Sequence, residues 1–274
     1  MKTYNDIYLE TRNALRASGI EGYTLEARLL VATAAGKSVA ELLRDINLYT
    51  TAAIDAEVQE LTRRRLAGEP VAYITGAWEF YGLPMKVTPD VLIPRMDTEL
   101  LVTTAKELLL GRKMDARILD LCCGSGCIAC ALGHELPATK LVAVDISANA
   151  LEIARENFAS NRLGSRAICI QADATSSPPM SIGQFDMIVS NPPYIASAEI
   201  MTLDSSVRDY EPIWALDGGE DGYRFYKAII KYWKSLLRPG GFLLFEVGEG
   251  QAGQGYAELR RLPRRRLQTR HAEH

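Results

Sequence analysis

Histidine is scarce in this sequence: His134, His271 and His274 are the only three among 274 residues. With so few imidazoles a zinc site would have to be built from cysteine, and the cysteines are poorly spaced for one. Cys122 and Cys123 lie in a glycine-rich turn, Cys127 and Cys130 fall where a helix should begin, and Cys169 stands alone. Structural zinc sites want two pairs at recognisable spacing. The thiols therefore read as small buried groups in a reducing compartment, and no metal is expected. An excess of one charge is missing too: the net charge of −3 gives no global attraction to nucleic acid. No run of eighteen apolar residues occurs, and the start, Met1-Lys2-Thr3-Tyr4-Asn5-Asp6, lacks an h-region, so a cytoplasmic protein without a membrane anchor is expected.

What is present divides the chain into stretches of different character. Residues 1–70 read as a helical domain. Ile7, Leu9, Ala14 and Leu15 form a loose stripe that stops at Gly19, and Leu25 to Val31 begins a second segment ending at Gly36. Ser38 with Glu41 has the capping-box spacing, and Ile54, Val58, Leu61 and Leu66 share one stripe of a longer helix. Arg63-Arg64-Arg65 reads as the solvated end of that helix. Residues 71–93 read as a β-hairpin linker, with Tyr73, Ile74, Trp78, Phe80 and Tyr81 on one side of Gly82-Leu83-Pro84 and Met85, Val87, Val91 and Leu92 on the other. In residues 94–250 a helix opens near Pro94, and strands and helices then alternate. That pattern predicts an α/β fold with a parallel, doubly wound sheet. Residues 251–274 form an atypical basic tail.

Candidate chemistry lies at the ends of four predicted strands. Phe185 to Val189 is an apolar strand stopped abruptly by Asn191-Pro192-Pro193-Tyr194. The Asn191 amide oxygen accepts a hydrogen bond, the two prolines leave mainly carbonyl acceptors in a stiff turn, and Tyr194 adds a flat ring. A planar NH2 group fits there, with one hydrogen on Asn191 and the other on the Pro192 carbonyl. The first strand leads into Asp120-Leu121-Cys122-Cys123-Gly124-Ser125-Gly126, where the glycines allow close backbone approach. Asp145 ends the next strand, placed to accept from ribose hydroxyls, and Asp173 follows the third, placed to accept from an adenine amine. Together these point to a nucleoside ligand. The turn lacks basic residues for a pyrophosphate, so a sulfonium ligand with a free amino-acid end, S-adenosylmethionine, fits it better.

These residues resemble a class I S-adenosylmethionine-dependent methyltransferase that methylates amino groups. Gly68-Glu69-Pro70-Val71-Ala72-Tyr73-Ile74-Thr75-Gly76, Glu79-Phe80-Tyr81-Gly82-Leu83 and Leu92-Ile93-Pro94-Arg95 with Thr98-Glu99 narrow the likeness to the peptide chain release factor glutamine methyltransferases. The likeness covers residues 5 to 250 and implies a Rossmann-like sheet with a small amino-terminal helical domain that recognises the substrate. It further implies that Asp120, Cys122, Cys123, Gly124, Ser125 and Gly126 hold the methionine part of S-adenosylmethionine, Asp145 and Ile146 the ribose, and Asp173 and Ala174 the adenine. Asn191 would border both cofactor and substrate, and Asn191, Pro192, Pro193 and Tyr194 would form the catalytic pocket for the glutamine amide. The implied partners are release factors, bound through their Gly-Gly-Gln loop by a monomeric enzyme that contacts no nucleic acid directly.

Two departures stand out. Met96-Asp97 replaces the usual Pro-Glu after Pro94-Arg95. After Glu249 the family continues with a helix and two strands, whereas here Leu259 to Arg266 is basic and interrupted by Pro263. That tail reads as a frameshifted or truncated end that would leave the Phe242–Val247 strand as an exposed apolar edge. The alternative function is amino methylation of adenine or guanine in nucleic acid, which needs a flipped base and a basic, aromatic-laced surface.

Overall fold

Thr3 and Ser38 begin helices for the same reason. Each side chain accepts from the backbone N–H three residues on, and Asp6 or Glu41 reaches back to the cap, so two unpaired donors are satisfied at once. The structure, a computed structural model, describes residues 1–111 and 115–251. Contacts divide it into two units: Met1–Ala77 with Ser205–Tyr210, and Trp78–Asp204 with the chain from Glu211.

The first unit is helical: α1 (Tyr4–Ala17), α2 (Tyr23–Ala34), α3 (Val39–Arg44), α4 (Ala52–Leu66) and α5 (Val71–Thr75). Ile7, Leu15, Leu30, Leu42, Val58 and Leu61 are buried, whereas Leu66 is exposed, so the apolar stripe of α4 ends a turn earlier than its spacing suggests. The arginine run is more than a solvated helix end. Arg64 pairs with Glu69, and Arg65 pairs with Glu26 on α2, both partners of the latter pair being about five-sixths covered. The start of the expected hairpin is also different. Val71–Thr75 is helical because Pro70, with φ −59°, sets the entry to a turn whose Val71, Ala72, Tyr73 and Ile74 are all buried; Gly76, at φ 67°, ends it.

The hairpin itself is β1 (Ala77–Phe80) and β2 (Leu83–Lys86). Its turn is Tyr81-Gly82, at φ 54° and 72°, the left-handed region that two-residue hairpin turns demand. Pro84 therefore lies inside β2, a place that a two-stranded sheet tolerates because each of its strands is an edge.

The second unit continues with α6 (Thr98–Leu109), β3 (Arg117–Leu121), α7 (Cys127–Glu135), β4 (Lys140–Asp145), α8 (Ala148–Ser160), β5 (Ala167–Gln171) and β6 (Phe185–Ser190). The one-turn helix α9 (Ser205–Arg208) groups with the first unit, and α10 (Arg224–Tyr232) and β7 (Leu237–Phe245) complete the second. The final strand differs from the expected Phe242–Val247: β7 starts at Leu237, because the backbone of Phe185 pairs there, and ends at Phe245. The strands lie in the order β5-β4-β3-β6-β7, and every neighbouring pair is parallel. Alternation gives the sheet two apolar faces. Ile118, Leu141, Met187 and Val189 join the core under α6, α7 and α8, while Leu119, Leu121, Val142 and Ile188 pack with Ile229 and Trp233. In this order β3 and β4 run outward to one side and β6 to the other, so the sheet reverses at β3/β6, where open α/β sheets bind ligands at their carboxyl ends. β7 is the edge strand among the described residues. The basic tail from residue 252 onward lies outside the described residues.

Candidate active site

A cavity of about 370 Å³ opens at the carboxyl ends of β3, β4, β5 and β6. Its walls include Cys122, Cys123, Gly124, Ser125, Asp145, Ile146, Asp173, Ala174, Asn191 and Pro193. Most of the residues singled out in the sequence are thus brought together. Asp120, Gly126, Pro192 and Tyr194 adjoin these residues in the chain but do not line the cavity themselves.

Gly124 and Gly126 separate cleanly. Both have positive φ, but a Cβ on Gly124 would meet nothing within 4 Å, whereas one on Gly126 would come within 2.8 Å of the Phe158 ring. Gly124 leaves room for a ligand; Gly126 lets α7 start tight against α8. Cys122 also takes a left-handed φ, 59°, which turns the chain out of β3 into the cavity rim. Burial raises the thiols of Cys122, Cys123 and Cys130, and pushes Cys127 up to about 12, so they stay neutral. Among the described residues no group of His, Cys, Asp and Glu is arranged to hold a metal ion, and no helix is long and apolar enough to cross a membrane.

The acids play different parts. Asp145 Oδ2 accepts from Gly124 N and Oδ1 from Ser147 N, both at 2.9 Å, which aims the carboxylate along the rim and leaves a lone pair on each oxygen for a hydroxyl. Burial raises its pKa against those bonds. Asp173 caps its own turn: burial raises it, but hydrogen bonds from Thr175 and Ser176 outweigh that and hold it below the ordinary range. Asp120 is buried beneath the rim, where its Oδ2 accepts from Ala129 N at 3.1 Å and its Oδ1 has no partner. Burial pushes its pKa up to about 8.

That shift gives a signed expectation. Between the unfolded carboxyl value of about 4 and a folded value of about 8, the folded chain holds a proton that the unfolded chain has lost. Stability contributed by this position therefore falls as pH rises through that window and is flat above it. Asp120→Asn cannot ionise, so its melting temperature relative to wild type should rise by on the order of 5 °C between pH 5 and pH 8. A gap constant with pH in paired melting curves would show that Asp120 is ionised throughout.

Asn191 follows β6 directly. Its Nδ2 donates to Thr98 Oγ1 at 3.2 Å, which leaves Oδ1 free to accept, and Asn191 lines the cavity. The turn around it is braced from two sides. Ile195 N donates to Leu216 O and Gly218 N to Ile195 O, while Gln251 Nε2 donates to Tyr194 O at 2.8 Å. The Tyr194 hydroxyl is pushed up to about 12 by burial beside Glu246. The stretch Pro94 to Glu99 supports the site as well as lining it with Pro94, Arg95 and Thr98: Glu99 accepts from Tyr81 N at 2.8 Å and so holds the hairpin turn, and Arg95 pairs with the buried Glu211, which also accepts from Ile93 N. Met96 and Asp97, at the departure from the family pattern, are both exposed. Sequence reasoning passed over Thr98, Glu211 and Glu246 as site residues. The only available signal was Glu246 itself, a carboxylate closing the apolar run Phe242–Phe245.

The fold and the rim define a class first, a Rossmann-like methyltransferase, and the comparisons agree. A methyltransferase small domain matches residues 96–205 and a PrmC N-terminal domain matches residues 6–76. The catalytic domain of hMettl16, solved with the MAT2A 3'UTR hairpin 6, shares the fold with a TM-score of 0.53 at 19% identity over 74% of this chain and 72% of that one. Release factor glutamine methyltransferases are far more similar. Those of Bradyrhizobium diazoefficiens, Bordetella pertussis and Geobacter sulfurreducens are 43%, 41% and 40% identical, over 87%, 90% and 88% of this chain and 80%, 89% and 83% of theirs. The chain belongs to the release factor glutamine methyltransferase family, whose methyl donor is S-adenosylmethionine.

The residues present suit that cofactor. Asp120 has a buried oxygen without a partner, and both Asp120 and Asp145 are held above their ordinary pKa by burial. A positively charged ligand in the cavity would relieve Asp145 on its wall and favour ionisation of Asp120 beneath it. Gly124 leaves open space at the rim, and the cavity is of the size usual for small-molecule ligands.

Proposed function

We propose that this protein methylates the side-chain amide nitrogen of the glutamine in the Gly-Gly-Gln loop of release factors. The observation that carries the reading is the orientation of Asn191: Thr98 takes its amide N–H, and its oxygen remains as an acceptor on the same cavity wall as Gly124 and Asp145. S-adenosylmethionine, when bound, supplies an electrophilic methyl group. The chain's own residues do the rest. Cys122, Cys123, Gly124 and Ser125 hold the amino-acid end, Asp145 and Ile146 the ribose, and Asp173 and Ala174 the base. Asn191 Oδ1 and the Pro192 carbonyl accept the two hydrogens of the glutamine amide, with Pro193 and Tyr194 stiffening the turn.

An amide nitrogen is a weak nucleophile because its lone pair is delocalised into the carbonyl. Holding both hydrogens aligns that nitrogen and lowers the entropic cost of attack. As positive charge grows on it, both acceptors bind more strongly than in the ground state, which is the differential stabilisation that raises a rate. Once methylated, the nitrogen releases one of its two hydrogens as a proton to water, because an amide protonated on nitrogen is strongly acidic, so no strong base is required there. In the same reading residues 1–70 recognise the factor, residues 71–93 link, residues 94–250 hold cofactor and amide, and the enzyme works as a cytoplasmic monomer.

The test is transfer of labelled methyl from S-adenosylmethionine to a recombinant release factor, beside the same factor with its Gly-Gly-Gln glutamine changed to alanine. Label on the unaltered factor alone is expected. Label on both, or on neither while nucleic acid is labelled, would sink the proposal.

A further inference from the structure

We propose that Glu246 is a positioning residue: its carboxylate fixes the Asn191 side chain with the amide nitrogen turned inward and the oxygen turned toward the cavity. This rests on the reading of Asn191 as an acceptor for the glutamine amide. The sheet brings the two residues together. β6 and β7 are parallel with Ser190 opposite Phe245, so Asn191 and Glu246 are the next residues in register, and Glu246 N donates to Ser190 O at 3.0 Å. The backbone of Glu246 is pinned from the other side by the Tyr226 hydroxyl, which donates to its carbonyl at 3.0 Å.

The side chain is an acid in an enclosed polar nest. Burial raises its pKa and the nearby Asp97 adds to that, while polar groups of Thr98, Asn191 and Tyr194 directed at the carboxyl oppose the rise without cancelling it. None of them reaches Oε2 with hydrogen-bond geometry, and that oxygen is buried without a partner. A carboxylate only accepts, so it attracts Asn191 Nδ2–H and repels Oδ1. Thr98 Oγ1 already takes one hydrogen of that nitrogen. Thr98 alone does not set the orientation, because a hydroxyl donates as readily as it accepts. A flipped amide would donate to the cavity and meet the substrate NH2 group donor to donor. Glu246 removes that alternative.

The test is a double-mutant cycle on methyl transfer to the release factor, together with side-chain amide exchange. Glu246→Ala should lower kcat by about 10–100-fold, with Glu246→Gln recovering part of the loss because its Oε1 still accepts. In an Asn191→Ala background the same change should cost nothing further, because Glu246 acts through Asn191. Losses that multiply in the double variant would make Glu246 a merely structural residue and overturn the assignment, while leaving the proposed activity standing. The second readout does not depend on activity. The Asn191 side-chain NH2 resonances, assigned by their loss in Asn191→Ala, should exchange slowly in wild type and faster in Glu246→Ala. Equal exchange in the two proteins would also overturn the assignment, whether or not the wild-type enzyme labels its factor.

Discussion

Asn191→Ala lowers methyl transfer by about 10²–10³-fold, the cost of removing one preorganised partner of a developing charge. The loss falls on kcat and kcat/KM together, because the Asn191 oxygen contributes most when positive charge has grown on the attacking nitrogen. The substitution leaves the fold in place. Asn191 is half-buried, and its side-chain hydrogen bond among the described residues, to Thr98, does not hold the turn. The turn is held by backbone groups on either side, through Leu216, Gly218 and Gln251. Single-turnover kinetics with saturating factor separates the chemical step from binding. A variant with near-normal turnover would mean that the amide nitrogen is activated elsewhere, and the proposed role of Asn191 would be wrong.

The second large effect comes from a residue that carries no chemistry. Gly222 has φ 73°, and a Cβ built on it would press on the Tyr194 carbonyl oxygen and stand 2.6 Å from Gln251 Nε2. Alanine there incurs about 1–2 kcal/mol for the left-handed backbone. It also forces the Asn191–Tyr194 turn and its Gln251 brace apart. A displacement near 1 Å at a reacting group costs on the order of 10²-fold in rate, so Gly222→Ala should lose that much activity and melt about 5 °C lower or more. Gly164→Ala is the control. Its φ is 53°, but an added Cβ meets nothing within 4 Å, so it bears the backbone cost without the collision. If the two variants retained equal activity, close packing of Gly222 against the turn would be irrelevant to function.

Glu211 shows how one acid links parts of the site that the sequence keeps far apart. It accepts from Ile93 N and pairs with Arg95, more than a hundred positions earlier in the chain. Burial raises its pKa, and the Arg95 guanidinium opposes that. Nothing in the local pattern around Glu211 announces a buried ion pair, because burial there is created by chain that folds back from elsewhere. The same holds for Thr98. Its place in the first turn of α6 is legible as a helix start, while its contact with Asn191 depends on where α6 meets the end of β6.

The errors of sequence reading have similar causes. Val71, Tyr73 and Ile74 are β-branched or aromatic, and propensity predicts a hairpin segment there; burial of Val71 to Ile74 in a single turn after Pro70 overrides it. Gly126 reads as part of a ligand loop from its spacing from Gly124, and the position of Phe158 adds a helix-packing requirement that the spacing does not announce. Arg65 looked solvated because a run of three arginines at a helix end normally is, and Glu26 lies on another helix.

By itself the sequence determined the alternation of strands and helices, the abrupt stop before Asn191, the rim of Gly124, Asp145 and Asp173, and through its linker stretches the family. These are local properties: apolar period, the fixed φ of proline, the freedom of glycine and the chemistry of single side chains. The tertiary structure alone decided which residues stand on the cavity wall, which acids bury an oxygen without a partner, and which group takes the Asn191 amide hydrogen. Those depend on strand register and on desolvation, and both are set by residues distant in the chain that no local pattern encodes.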